Sequence, residues 1–185
     1  SVASPIAEIY AANIPGASTA VTPVVGSSTS TSVSWTPPID DGGLPVTKYI
    51  VYYQDVTNGG SWTLAWTGTA TFTSVIPLTE GVQYSFKVHA INMIVDLYSA
   101  TPTDSETATW YAAIAPDAPA ISFTGSDMIS ITTTWVAPSA TGGLAVAAYE
   151  LEYKLTADTV YTAVTLGSAT ALTHTVSNLL AGSSY

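Results

Sequence analysis

Apolar and polar residues alternate with a period of two along most of this chain, which predicts strands. From Thr31 to Trp35 the alternation puts Val33 and Trp35 on one face. From Val46 to Asp55 it does the same with Tyr49, Val51 and Tyr53, and from Val82 to Asn92 with Tyr84, Phe86, Val88 and Ala90. Shorter runs from Trp62 to Trp66, Thr71 to Ile76 and Ser105 to Ala112 complete the set. Between them stand turn-forming residues: Pro37-Pro38, Asp40-Asp41-Gly42-Gly43 and Asn58-Gly59-Gly60, the last a hairpin signal. Sustained helical periodicity is absent, so the expected fold is all-β.

The pattern is written twice. Trp35-Thr-Pro-Pro38 returns as Trp135-Val-Ala-Pro138, Gly42-Gly43-Leu44 as Gly142-Gly143-Leu144, and Tyr49-x-Val51-x-Tyr53 as Tyr149-x-Leu151-x-Tyr153. Further along, Leu78-x-x-Gly81-x-x-Tyr84 matches Leu179-x-x-Gly182-x-x-Tyr185, and Tyr10-Ala-Ala-x-x-Pro15 matches Tyr111-Ala-Ala-x-x-Pro116. A period of about 100 residues suits one autonomous domain, and a fixed period sets the architecture before any residue is given a role.

Short strands broken by a turn every 8–12 residues are the pattern of an immunoglobulin-like β-sandwich. The tryptophan followed by proline, the Gly-Gly loop, the Tyr-x-Val/Leu-x-Tyr strand, Leu-x-x-Gly-x-x-Tyr and Val88-x-Ala90-x-Asn92 together resemble fibronectin type III domains in tandem. The resemblance implies immunoglobulin-like sandwiches whose cores hold Trp35 and Trp135, and tyrosine corners at Tyr84 and Tyr185. It also implies three segments. Residues 1–14 are expected to be the last strand of a preceding domain. Residues 15–113 are expected to be a complete domain, and 114–185 a domain cut before its last two strands, within a larger repeat protein.

Composition narrows the partners. Thirteen acidic residues against three lysines and no arginine give a net charge of −10, which disfavours nucleic acid and anionic membrane surfaces. Charged residues are 9% of the chain, against about 25% in ordinary soluble domains, so Thr, Ser and Ala cover most of the surface. Mean hydropathy is +0.34, yet no apolar run is long enough to span a bilayer. With no cysteine there is neither a disulfide framework nor a thiolate metal site.

Candidate chemistry is sparse. His89 and His174 fall in different repeats, without a nucleophile or carboxylate at catalytic spacing. Asp40 and Asp41 suggest calcium, but the second repeat carries Ala140-Thr141 there, which favours turn chemistry. No catalytic, cofactor or metal residue is assigned, and the chain is not expected to be an enzyme. Without arginine no Arg-Gly-Asp motif exists, and no asparagine lies in an Asn-x-Ser/Thr sequon. Thr- and Ser-rich stretches such as Ser27 to Ser34 remain open to O-linked glycans.

One surface stands out. By alternation Ile50, Tyr52 and Ile91 point outward in the first full repeat, with Trp62 and Trp66 on the adjoining strand, whereas Glu150 and Glu152 replace Ile50 and Tyr52 in the second. Either these five side chains form a contact face, or the aromatics cap the sandwich edge. The expected role is a non-catalytic structural repeat of an extracellular or cell-surface array: spacer, adhesive stalk or filament subunit. Its expected partners are neighbouring repeats or copies of itself. The alternatives are an accessory module of a large secreted enzyme and an intracellular scaffold of the giant-muscle-protein type.

Overall fold

The structure, a computed structural model, describes residues 11–75 and 77–185. The chain divides into two compact units, the first running to Ile114 and the second covering Ala115–Tyr185. Most of the segment expected to end a preceding domain, residues 1–10, lies outside the described residues, as does Ile76.

Among the described residues the first unit has seven strands and one short helix. In order they are β1 (Thr19–Ser27), β2 (Ser30–Thr36), β3 (Lys48–Asp55), β4 (Thr63–Gly68), β5 (Phe72–Val75), β6 (Gln83–Ile91), α1 (Met93–Tyr98) and β7 (Ala108–Tyr111). They form two antiparallel sheets, ordered β1-β2-β5 and β4-β3-β6-β7. Alternation sends Thr31, Val33 and Trp35 inward from β2, Tyr49 and Val51 from β3, and Tyr84, Phe86, Val88 and Ala90 from β6. These side chains meet Val75, Leu78, Val82 and Ala112 in one core, where the Trp35 and Tyr49 rings pack edge to face at 5.6 Å.

Trp35 keeps only 5% of its surface exposed, as a sandwich core requires. The Tyr84 hydroxyl accepts a hydrogen bond from the Thr79 backbone N–H at 3.0 Å, closing the tyrosine corner that the resemblance implies. At the predicted hairpin Gly59 takes a positive φ of 67°, and the Asn58 N–H donates to the Asp55 carboxylate. β1 was not among the predicted strands. It is an edge strand with an irregular register and carries Pro23, which an edge tolerates because no ladder bond is lost on its open side.

The helix α1 was not expected either. Asn92 starts it: its side-chain oxygen accepts from the Ile94 and Val95 N–H groups, a local device that leaves no long periodicity to read.

The second unit comprises β8 (Ala120–Ser126), β9 (Ser130–Val136), β10 (Glu150–Tyr153), β11 (Thr162–Thr165) and β12 (Thr173–Ser177). Its sheets are ordered β12-β9-β8 and β10-β11. Trp135 and Tyr149 pack edge to face at 5.7 Å, reproducing the first core's central pair. Backbone bonds outside the strands recur about one repeat further along. Trp35 N–H to Thr71 O becomes Trp135 N–H to Leu172 O, and Leu78 N–H to Thr29 O becomes Leu179 N–H to Ile129 O. The Tyr185 hydroxyl accepts from Leu180 N–H at 2.8 Å, as Tyr84 does from Thr79. A cavity of about 330 Å³ lies beside Leu151, Tyr153, Val176 and Tyr185, opening past Ile121 and Phe123. Those last two are 51% and 76% exposed. In the first unit β6 covers the equivalent side of β3 with Phe86 and Val88.

Candidate functional site

The outer face of the sheet β4-β3-β6-β7 in the first unit brings part of the predicted set together. Across β3 and β6, Ile50 stands opposite His89 and Tyr52 opposite Lys87. On the other side of β3, Tyr52 pairs with Leu64, which is 56% exposed. Trp62 immediately precedes β4. The Lys87 ammonium lies 4.8 Å from the centre of the Trp62 ring and 5.9 Å from that of Tyr52, so the cation is held against two π-faces. The Tyr52 and His89 rings are 5.1 Å apart.

Sequence alternation gives no sign of the group that organises this face. Asp104 lies in the segment returning from α1 to β7, and its isolated bridge to His89 lays that segment beside β6. Its carboxylate takes Lys87 Nζ at 2.9 Å and His89 Nε2 at 2.5 Å. Those hydrogen bonds, Lys87 first, hold the Asp104 carboxyl below its usual range. Ser105 Oγ accepts from Val88 N–H at 2.9 Å and fixes the segment one residue further on. The face is therefore a half-buried stack of Trp62, Lys87, Tyr52 and His89, tied down by one exposed carboxylate.

Two of the five predicted residues are placed differently. Trp66 points inward: its ring lies 5.9 Å from that of Trp35 and packs against the core. The cause is a bulge. Val51 pairs with Trp66 but the next residue, Tyr52, pairs with Leu64, so Ala65 is an extra residue that reverses the phase of β4. The Trp66 ring then folds over Gly68, where a β-carbon would collide with it.

Ile91 is 1% exposed rather than outward-facing. The chain turns directly from β6 into α1, and Ile91 is buried with Ile94 and Val95 beneath that turn. Ile50, Tyr52 and Trp62 remain on the outer side, each half-buried. In the second unit Glu150 and Glu152 are exposed at the corresponding places, so the aromatic face belongs to the first unit.

All three lysines are engaged. Lys48 pairs with Asp96 at 2.8 Å, Lys87 with Asp104, and Lys154 donates to the Asp158 carbonyl while lying 5.2 Å from the Tyr161 ring. Among the described residues no cluster of three metal-ligating side chains occurs, and no helix is long and apolar enough to cross a membrane.

Residues 17–105 match the family model of the fibronectin type III domain. This segment belongs to the fibronectin type III family. Over 149 residues, 75% of its length, the chain is 30% identical to Titin of Drosophila melanogaster. Over 60 residues, 32% of its length, it is 35% identical to Fibronectin type-III domain-containing protein 3A of Mus musculus. It spans only 1% and 5% of those two proteins. A two-domain fibronectin type III segment from chicken tenascin matches at 16% identity, covering 90% of this chain and 86% of the tenascin segment, with a TM-score of 0.47. Two fibronectin type III sandwiches in tandem make this chain a structural repeat module.

Proposed function

We propose that the chain is a non-catalytic repeat of an extracellular or cell-surface array, working as a spacer, adhesive stalk or filament subunit. The carrying observation is that two successive units repeat one framework down to single backbone bonds, around Trp35 and Tyr49 in one and Trp135 and Tyr149 in the other. Modules of this kind extend reach by addition. Residues 15–113 are read as a complete domain and 114–185 as one lacking its last two strands.

Contact with neighbouring repeats or further copies is assigned to the outer face of the first domain, through Ile50, Tyr52, Trp62 and Leu64. Exposed Ser and Thr are candidate carriers of O-linked glycans. With all three lysines engaged, a protein partner fits this surface better than an anionic polymer. The test is the solution mass of the 185-residue chain beside a Tyr52→Ser/Trp62→Ser variant. Concentration-dependent association that the double variant abolishes supports the contact face; an unaltered chain that stays monomeric at high concentration overturns it and leaves a plain spacer.

The scarcity of lysine and arginine favours the outside of the cell, because trypsin-like proteases find few sites. The identity with a protein named Titin favours a second reading, an intracellular scaffold within a very long chain. Antibody labelling of intact against permeabilised cells separates the two: signal on intact cells supports a surface array, and signal only after permeabilisation the scaffold.

A further inference from the structure

The segment leading into the first domain is held more closely than a tether between modules needs to be. Asn13 N–H donates to the Gly42 carbonyl at 2.7 Å, and Gly16 N–H to the Asp40 carbonyl at 2.9 Å. Thr103 Oγ1 donates to the Pro15 carbonyl at 2.8 Å. Asn92 Nδ2 donates to the Asn13 carbonyl at 2.8 Å and to the Asp41 carbonyl at 2.9 Å. Pro15 and Asn92 are fully buried. Three of the residues 13–16, Asn13, Pro15 and Gly16, are thus gripped by the Asp40–Gly43 loop, by the residue that caps α1 and by the segment returning to β7.

The loop is shaped for this grip. Gly42 N–H and Gly43 N–H donate to the Asp40 and Asp41 carboxylates, each at 2.8 Å, which holds the turn without help from the incoming segment. Gly42 has a φ of 76°, and a β-carbon on it would collide with the carbonyl oxygens of Asn13 and Ile14. Backbone lies directly on backbone, which only glycine allows here. The second unit repeats the core of the arrangement: Asp117 N–H donates to the Ala140 carbonyl at 3.0 Å, beside Gly142 and Gly143 at φ of 71° and 101°. It lacks the two loop carboxylates, having Ala140 and Thr141 in their place.

We infer that the Gly-Gly loop of each repeat is a clasp that fixes the direction of the incoming chain, with Asn92 and Gly42 as the positioning residues of the first domain. The clasp of the first domain, which holds Asn13, Pro15 and Gly16, is tighter than that of the second, which holds Asp117. This rests on the repeat reading, in which each module carries the same Gly-Gly loop at its entry. Asn92 is suited to the task because its two ends are divided. The oxygen caps α1, and the amide nitrogen spends both hydrogens on carbonyls of two separate segments.

Hydrogen exchange of the 15N-labelled 185-residue chain tests the inference. The Asn13, Gly16 and Asp117 amides are expected to exchange at least about tenfold more slowly than in an unstructured chain, with Gly16 more protected than Asp117. Asn92→Asp keeps an oxygen to cap α1 but removes the donor. It should speed Asn13 exchange by about tenfold or more while the Val33 and Val51 amides stay protected. Thr103→Val, which leaves the buried asparagine intact, should loosen Asn13 and Gly16 in the same direction, and it decides the matter if the aspartate variant does not fold.

Free exchange at Asn13 and Gly16 in the unaltered chain, or unchanged protection at Asn13 in both variants, overturns the clasp. The outcome is independent of assembly. A monomeric chain with a protected Asn13 removes the filament and keeps the clasp, and an associating chain with a free Asn13 does the reverse.

Discussion

At the scale of single residues, the two tryptophans carry most of the weight. Trp35 and Trp135 are buried against Tyr49 and Tyr149 with nearly equal ring separations and tilts, so one side chain has been used twice to solve one packing problem. Neither indole N–H has a hydrogen-bond partner among the described residues, so these rings contribute through packing alone. Trp35→Ala should destabilise the first domain by about 3–5 kcal/mol in urea denaturation, a large part of the stability of a domain this size. Tyr84→Phe isolates a smaller effect. It removes the hydroxyl that accepts from Thr79 N–H and leaves the ring against Tyr53, so a loss of about 0.5–1.5 kcal/mol is expected in the same measurement.

At the scale of elements, two departures from plain alternation shape the outer face. The Ala65 bulge turns Trp66 inward, where its ring needs the space over Gly68. Gly68→Ala should therefore displace the Trp66 ring, seen as a shift in tryptophan fluorescence together with a lowered midpoint of unfolding. The second departure is the segment carrying Asp104, held to β6 by Lys87 and His89. Its carboxyl titrates below the ordinary 3.8, so its contribution to stability is present above that value and is lost as pH falls through the lower folded-state value. Asp104 is 59% exposed, and solvent screening keeps the effect small. Denaturation midpoints compared between pH 5 and pH 2 should fall more steeply for the unaltered chain than for Asp104→Asn, and parallel curves for the two would contradict the role given to this carboxylate.

At the scale of the whole chain, scarcity of charge and tandem repetition belong together. Three lysines, each already engaged, leave a surface of Thr, Ser and Ala with few charges to oppose association. Residues with apolar surface on the first domain's outer face, Ile50, Tyr52, Trp62 and Leu64, are where association is expected. Replacing Leu64 by Glu should weaken it in analytical ultracentrifugation without lowering the unfolding midpoint, because Leu64 is exposed and lies outside the core.

The residues themselves determined the class of fold, the repeat, and the inward set of β2, β3 and β6. Each rests on local information: a period of two along a strand, a fixed spacing between copies, and turns marked by glycine and proline. Tertiary structure decided what alternation cannot encode. One inserted residue at Ala65 inverts Trp66, a helix turn started by Asn92 covers Ile91, and Asp104 reaches Lys87 and His89 only because the intervening chain folds back along β6. The grip of Asn92 on Asn13 spans 79 positions of sequence. Phase along a strand is read from neighbours in sequence, whereas a bulge, a fold-back and a clasp are set by what meets across space.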